Sequence, residues 1–160
     1  MPNWCRNHIE IHATPQIVEE IQTEIKEHDR FLEYCAPIGE WDYKLACETW
    51  GTKWDILTDD SMRLDIEELE DDLHIINIET STAWAPPLRA LAKLKQKEGV
   101  HSVKCHYIED GMCFCGFWDN GQEQYLEYNF EDKSTFEKNK YLTEYWNLNG
   151  HALEYDGELR

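Results

Sequence analysis

The order in which strand-like and helix-like segments follow one another constrains the fold of this chain most. Residues 7–13 alternate, with Ile9, Ile11 and Ala13 on one side and polar residues on the other, which is the period of a half-buried strand. Thr14-Pro15 follows directly and supplies a capping residue and a proline at the first helical position. Apolar residues then recur at helical spacing, so we predict a helix from residue 15 to about 28.

The rest of the chain repeats this order. The further predicted elements are a strand at 73–80, a helix that starts at Pro86-Pro87 and is capped by Gly99, strands at 100–109, 112–118 and 124–130 joined by turns at Asp110-Gly111 and 119–121, and a final helix at about 134–147. We expect residues 30–55 to be irregular and to lead into a strand near 53–58. The segment 59–72 fits either a short helix or a loop and a strand.

This β-α-β-β-α-β order is typical of the α+β class. It predicts the split βαβ, ferredoxin-like arrangement, in which two helices cover one face of an antiparallel sheet. A β-meander and a C-terminal helix would extend that unit. At 160 residues and 41% hydrophobic content the chain can build one core. We therefore expect a single domain over 1–160, with an acidic insertion at about 59–72 and a C-terminal extension at about 131–160.

Two tryptophan-rich stretches interrupt these patterns, Trp50–Asp55 and Thr82–Pro87. Large rings beside Gly51 and two prolines indicate places where the chain changes direction and segments are locked together. Lys53 and Asp55 lie among these rings and could give an aromatic pocket a polar floor; the alternative is a structural hydrogen bond or ion pair. The residues of this candidate pocket are Trp50, Lys53, Trp54, Asp55 and Trp84.

Four separate blocks carry a resemblance to a known family. They are the start Met1–Asn7, with its MPNWC sequence, the WGTKWD block at 50–55, the TAWAPP block at 82–87, and Glu109 and Gly111 followed by Phe114 and Gly116. Together they resemble a family of small ferredoxin-like-domain proteins borne by phages, plasmids and genomic islands. The motifs span residues 1 to about 118. The resemblance implies the fold and an origin on a mobile element, and it implies no particular activity.

Charge narrows the classes of partner. Acidic residues number 33 against 15 Lys and Arg, for a net charge of -18. Direct binding to phosphate backbones or anionic membranes needs clusters of Lys and Arg, and the nearest approach to one is Lys93, Lys95 and Lys97. The excess of acid favours a basic protein partner, because complementary potentials speed encounter. The alternative is that the charge serves solubility alone.

The densest acid lies in residues 59–72. Carboxylates spaced along a surface can imitate a phosphate backbone and occupy a cleft that binds nucleic acid. The candidate partner-binding residues are Asp59, Asp60, Asp65, Glu67, Glu68, Glu70, Asp71 and Asp72. These patterns favour a non-enzymatic protein that binds a basic host protein, one that handles nucleic acid, as a DNA mimic or an inhibitor of host defence. The alternatives are an enzyme or small-ligand binder that uses the aromatic pocket, and a self-associating structural protein.

The cysteines and histidines indicate no metal site. The six cysteines include no CxxC pair. Cys113 and Cys115, with His101 and Cys105 on the preceding strand, have the right residue types, but their spacings match no zinc signature. His8 and His12 share a strand face that we expect to be solvent-facing. We predict no cofactor, no metal and no catalytic residue. Residues 1–20 have no apolar leader segment and the cysteines suit a reducing compartment, so we expect the cytoplasm of a bacterial host.

Overall fold

A computed structural model describes residues 2–69 and 72–150 of the chain. Its centre is a six-stranded antiparallel sheet in the order β2-β3-β1-β4-β5-β6. The strands are β1 Trp4–Ala13, β2 Arg63–Glu68, β3 His74–Ala83, β4 Val100–Glu109, β5 Phe114–Asp119 and β6 Gln122–Glu127. The helices are α1 Pro15–His28, α2 Leu32–Cys35, α3 Tyr43–Trp50, α4 Leu88–Lys95 and α5 Lys140–Tyr145, with a 3₁₀ helix at Lys133–Lys138. The α+β class is thus confirmed, while the six-strand order differs from the four-strand order of a ferredoxin-like sheet.

The first strand and helix form where the local pattern predicts them. The Thr14 hydroxyl accepts a hydrogen bond from the Ile17 N–H, Pro15 begins α1, and Asp29 ends it in the left-handed conformation. The apolar stripe of α1 is buried, including Ile21 and Ile25. This stripe packs on the sheet because period-3.6 apolar spacing places those side chains on one side of the helix.

One face of the sheet carries the larger core. Alternate residues of β1 and β3, such as Ile11 and Ile76, are fully buried there beneath the helices, as is Leu91 of α4. Tyr107 of β4 is the largest fully buried side chain among the described residues. Its ring lies over Gly116 of β5, where a Cβ atom would collide with the tyrosine hydroxyl. The absence of a side chain at Gly116 therefore makes room for Tyr107.

The opposite face of the sheet carries a second core on only half its width. Ile108, Cys115 and Leu126, from the last three strands, pack against the C-terminal segment at 128–148. The residues that this segment contributes are Tyr128, Phe136, Leu142, Trp146 and Leu148. Among the described residues this half, formed by β1, β3 and β2, has much less cover, with Tyr145 and Trp146 beside His8, and most of its side chains are intermediate or exposed. We refer to this half as the open face.

Several element boundaries differ from the predicted ones. The strand expected near 53–58 is not formed, because the Asp55 carboxylate turns back to cap α2, and α2 and α3 lie within the connection predicted to be irregular. Within 59–72 the loop-and-strand alternative holds, as β2. The predicted final helix is split at Asn139, whose side chain caps α5 by accepting from the Leu142 N–H. The hairpin after β4 is longer than two residues, since the Glu109 carboxylate accepts from the N–H groups of Gly111 and Met112.

Within residues 2–69 and 72–150, no helix combines the length and apolar character that a bilayer span requires.

Candidate functional site

The acidic segment becomes the outer edge strand of the sheet. Among the described strands, β2 pairs with β3 alone, so the backbone groups on its other side face away from the sheet. Pairing with Asn77 and Ile75 places Asp65 and Glu67 on the open face, whereas Glu68 points to the helix-covered face. Asp59 and Asp60 lie in the turn before β2, and Asp72 follows it with φ 58°. Glu70 and Asp71, the other two candidates, lie outside the described residues.

The carboxylates of β2 are joined on the open face by acids from the two neighbouring strands. The register of β1 and β3 sets His8 opposite Glu79 and Glu10 opposite Asn77. Glu10, Asp65 and Glu79 all line one cavity of about 390 Å³. Its remaining polar lining comes from His8, Asn77, Lys104, His106 and Tyr145.

The C-terminal segment forms one wall of this cavity. His106 lies between two rings, with centroids 4.0 Å from Phe117 and 3.8 Å from Tyr145, both nearly parallel to it. Its Nε2 atom is 2.6 Å from the hydroxyl of Tyr141. His8 meets the same wall, with Nδ1 2.7 Å from the Tyr145 hydroxyl. His8 was expected to face solvent; instead Tyr145 and Trp146 of the tail partly cover it.

Burial keeps both histidines neutral at pH 7. It lowers the pKa of His106 to about 4, and the nearby His8 adds to this effect. Burial also lowers the pKa of His8, although Glu79, 3.7 Å from its Nε2, opposes the shift. A neutral imidazole has one acceptor nitrogen, which the tyrosine hydroxyls can use. The cavity therefore presents three carboxylates against the single ammonium of Lys104.

This arrangement offers groups that can bind a cation. The carboxylates accept hydrogen bonds, and the stacked rings offer an apolar wall to the stem of a long side chain. Of the described residues, no three His, Cys, Asp or Glu side chains come close enough to hold a metal ion. Cys105 lies buried on the helix-covered face, and His101 is exposed, so the four residues weighed for a metal do not meet.

Two residues of the predicted aromatic pocket serve the fold. Trp50 is buried, and its Nε1 donates to the carbonyl of Ala36 at 2.8 Å. The carboxylate of Asp55 accepts from the backbone N–H groups at the start of α2 and from its own neighbour. These donors are Phe31 (2.9 Å), Leu32 (2.8 Å), Glu33 (3.0 Å) and Ile56 (2.8 Å).

The other three residues of that set come together at the surface. The ammonium of Lys53 lies 4.3 Å from the ring centre of Trp54 and 5.0 Å from that of Trp84. Trp54 and Trp84 remain 37% and 42% exposed. Lys53, Trp54 and Trp84 therefore form an exposed cluster, separate from the inward-turned Trp50 and Asp55.

Sequence reasoning missed several residues of the open-face site. His106, Tyr141 and Tyr145 were not singled out, although the aromatic residues at 136–146 were read as a helix. Glu10 was placed correctly on the polar side of β1, but nothing local distinguishes it from the other acids. The sequence signal that could have pointed to this site was the alternation of β1, which places His8 and Glu10 on one face of the strand.

Comparison of the chain with protein-family models, with curated proteins and with solved structures found no match.

Proposed function

We propose that this protein is a non-enzymatic binding protein that engages a basic protein partner through the open face of its sheet. The observation that carries the proposal is the meeting of Asp65 from the edge strand with Glu10 and Glu79 around one cavity. These residues, with Glu67 on the same face of β2, are referred to below as the acidic face.

The cavity fits a cationic side chain of such a partner. The partner's arginine or lysine would place its charged end among the carboxylates and its stem against Tyr145. Exposed ion pairs contribute only about 0–1 kcal/mol each. Affinity would therefore depend on several pairs acting together, and the association rate would fall steeply as salt increases.

The open edge of β2 offers a second mode of contact. Within residues 2–69 and 72–150 no other strand pairs with this edge, and its backbone groups can accept a further strand, which is a common way to bind an extended peptide. Asp65, Glu67 and Glu68 repel an identical strand from another copy, because like charges across a strand pair are destabilising. A strand rich in Lys and Arg would instead be attracted.

The four motif blocks resemble a family of mobile-element proteins, and this resemblance supports a more specific form of the proposed function. We propose that the protein comes from a phage, plasmid or genomic island and acts in the cytoplasm of a bacterial host. Its partner would be a host protein that handles nucleic acid, with the carboxylates occupying sites that otherwise bind phosphates, as in a DNA mimic that inhibits a defence enzyme. The spread of acid over the chain supports this, because it disfavours direct contact with nucleic acid.

We also propose that the first four strands form a ferredoxin-like unit. Within the six-strand order, β2-β3-β1-β4 are adjacent and antiparallel, and α1 and α4 connect β1 to β2 and β3 to β4. On this view β5, β6 and the C-terminal segment are additions to one edge and one face.

The test is affinity capture from bacterial lysate with three versions of the protein at low and high salt. The first version is the native chain and the second removes the acidic face by Glu10→Gln, Asp65→Asn, Glu67→Gln and Glu79→Gln. The matched control removes the same charge from exposed acids elsewhere, at Glu27, Glu40, Glu98 and Glu131, each to Gln.

We expect the native chain and the control to capture the same basic protein at low salt, and the acidic-face variant to lose it. Nucleic acid added to the complex should release the protein if both compete for one cleft. Equal capture by all three versions, or capture that survives high salt unchanged, would refute the proposal.

A further inference from the structure

An aromatic surface surrounds Lys53, apart from the acidic face. It consists of Trp41, Tyr43, Trp54 and Trp84, and we call it the aromatic patch. These four side chains are 48%, 50%, 37% and 42% exposed. All four gather at Lys53, since its ammonium lies over three of the rings and its carbonyl accepts from Nε1 of Trp41 at 2.9 Å. Contiguous exposed aromatic surface of this kind is characteristic of interaction sites.

Lys53 has rings but no anion around it. Among residues 2–69 and 72–150, no carboxylate lies within 4.0 Å of its ammonium and no acceptor binds it. Cation–π contacts hold the ammonium in place, yet its three N–H donors stay available to a ligand.

Trp84 adds an independent indication. Its backbone has φ 68°, the left-handed region, which a bulky residue adopts only at a cost, and strained backbone of this kind is enriched at functional sites. The Trp84 N–H donates to the Asn3 carbonyl at 2.8 Å, and this bond holds the backbone in place. The fold thus accepts strain to set a large ring at the surface, half exposed, beside an unpaired cation.

We propose that the aromatic patch is a docking surface for a protein segment that carries a carboxylate next to an apolar side chain. The carboxylate pairs with the Lys53 ammonium, and the apolar side chain covers the rings of Trp54 and Trp84. Charge complementarity selects this occupant: Lys53 already fills the place over the rings, so it repels a second cation. The net charge of -18 repels a polyanion, whereas one carboxylate pairs locally.

The proposal does not depend on the acidic face. The partner segment here is acidic and apolar, and the residues that bind it are none of those that bind a basic partner. A variant without the acidic-face carboxylates should therefore bind the same segment with unchanged or slightly higher affinity.

The test is a selection of random 12-residue peptides displayed on phage against the immobilised native protein. Enriched peptides are then synthesised and their affinities measured by tryptophan fluorescence. We expect enrichment of Asp or Glu beside aromatic or aliphatic residues. Affinity should fall at least tenfold with Lys53→Met, which keeps the stem and removes the charge, and with Trp84→Gly, which suits the backbone and removes the ring.

Tyr125→Ala serves as the matched control, because Tyr125 is a 51% exposed aromatic residue on β6 outside the patch. Its affinity for the selected peptides should equal that of the native chain. Enrichment of basic peptides, or no enrichment above background, would overturn the proposal. So would Lys53→Met and Trp84→Gly variants that bind the selected peptides as tightly as the native chain does.

Discussion

Replacement of Asp55 gives the sharpest test of how the tryptophan-rich block works. In the structure its carboxylate accepts four backbone hydrogen bonds, between 2.8 and 3.0 Å, three of them from the start of α2. Phe31, Leu32 and Ile56 are buried residues, so three of these donors have no ready access to water. Asp55→Ala leaves all four without a partner, and we expect α2 to lose its attachment to the block.

The magnitude follows from the donors left unpaired. Each buried donor without a partner costs about 1–3 kcal/mol, and movement of the loop toward water recovers part of this. We expect a loss of about 3–5 kcal/mol in the free energy of unfolding for Asp55→Ala, from a typical total of about 5–15 kcal/mol. Asp55→Asn keeps the oxygen that serves three of the bonds and should cost about 1–2 kcal/mol.

Urea unfolding followed by tryptophan fluorescence measures the difference. Asp42→Ala is the control, since Asp42 caps α3 through one exposed bond to the Leu45 N–H and should cost about 1 kcal/mol. The slope of the free energy against urea should stay unchanged, so that the midpoints compare directly. A loss for Asp55→Ala no larger than that for Asp42→Ala would refute the capping role. Loss of binding with full stability would instead assign Asp55 to a site.

Three further predictions concern stability. Burial holds the pKa of His106 near 4 in the folded protein, whereas the unfolded chain binds a proton at this histidine from about pH 6.5 downwards. The neutral His106 therefore contributes fully to folding stability above about pH 6.5, and this contribution is lost as the pH falls towards 4. Allowing for partial exposure of the ring, we expect the free energy of unfolding of the native chain to fall by about 1–2 kcal/mol over this range through His106. Urea midpoints of His106→Gln should therefore depend less on pH than those of the native chain, and equal dependence would contradict this prediction. Trp84→Gly should be more stable than Trp84→Ala by about 1 kcal/mol because φ is positive, and the reverse order of melting temperatures would contradict this. Gly116→Ala should cost about 2–4 kcal/mol, since its Cβ meets the Tyr107 hydroxyl and the Gln124 carbonyl oxygen. Gly116→Ala combined with Tyr107→Leu should cost less than the sum of the two single replacements in the same assay, and additive costs would rule out the clash with the tyrosine.

The two proposed surfaces recognise opposite charges. The acidic face surrounds a cavity on the open face, whereas the aromatic patch centres on an unpaired ammonium beside Trp54 and Trp84. A single partner that carries both a basic region and an acidic, apolar segment could engage both surfaces. Salt would then weaken the first contact more than the second, because buried apolar area is not screened.

Local pattern was enough to predict most of the secondary structure. Thr14-Pro15 and the apolar spacing after it define α1, and the alternation of β1 places Ile9 and Ile11 inwards. The α+β class follows from the order of these elements. Such features depend on neighbours within a few residues, so the sequence alone determines them.

Capping between distant segments was not predictable in the same way. Asp55 caps a helix that begins 23 residues earlier at Leu32, and this bond replaced the strand expected near 53–58. Asn139 likewise splits an aromatic segment whose composition suggested one helix. In both cases one polar side chain, aimed by the tertiary structure, overrides the local preference.

The composition of the sites was decided only by tertiary structure. Acid content pointed to residues 59–72, yet only strand register brings Asp65 together with Glu10 and Glu79. The neutral state of His106 depends on the C-terminal segment that covers it. The contact between His106 and Tyr141 joins residues that are 35 positions apart in the sequence. A strand's period tells which side chains share a face. Which strands become neighbours, and which half of the sheet stays open, depends on how the whole chain buries its apolar surface.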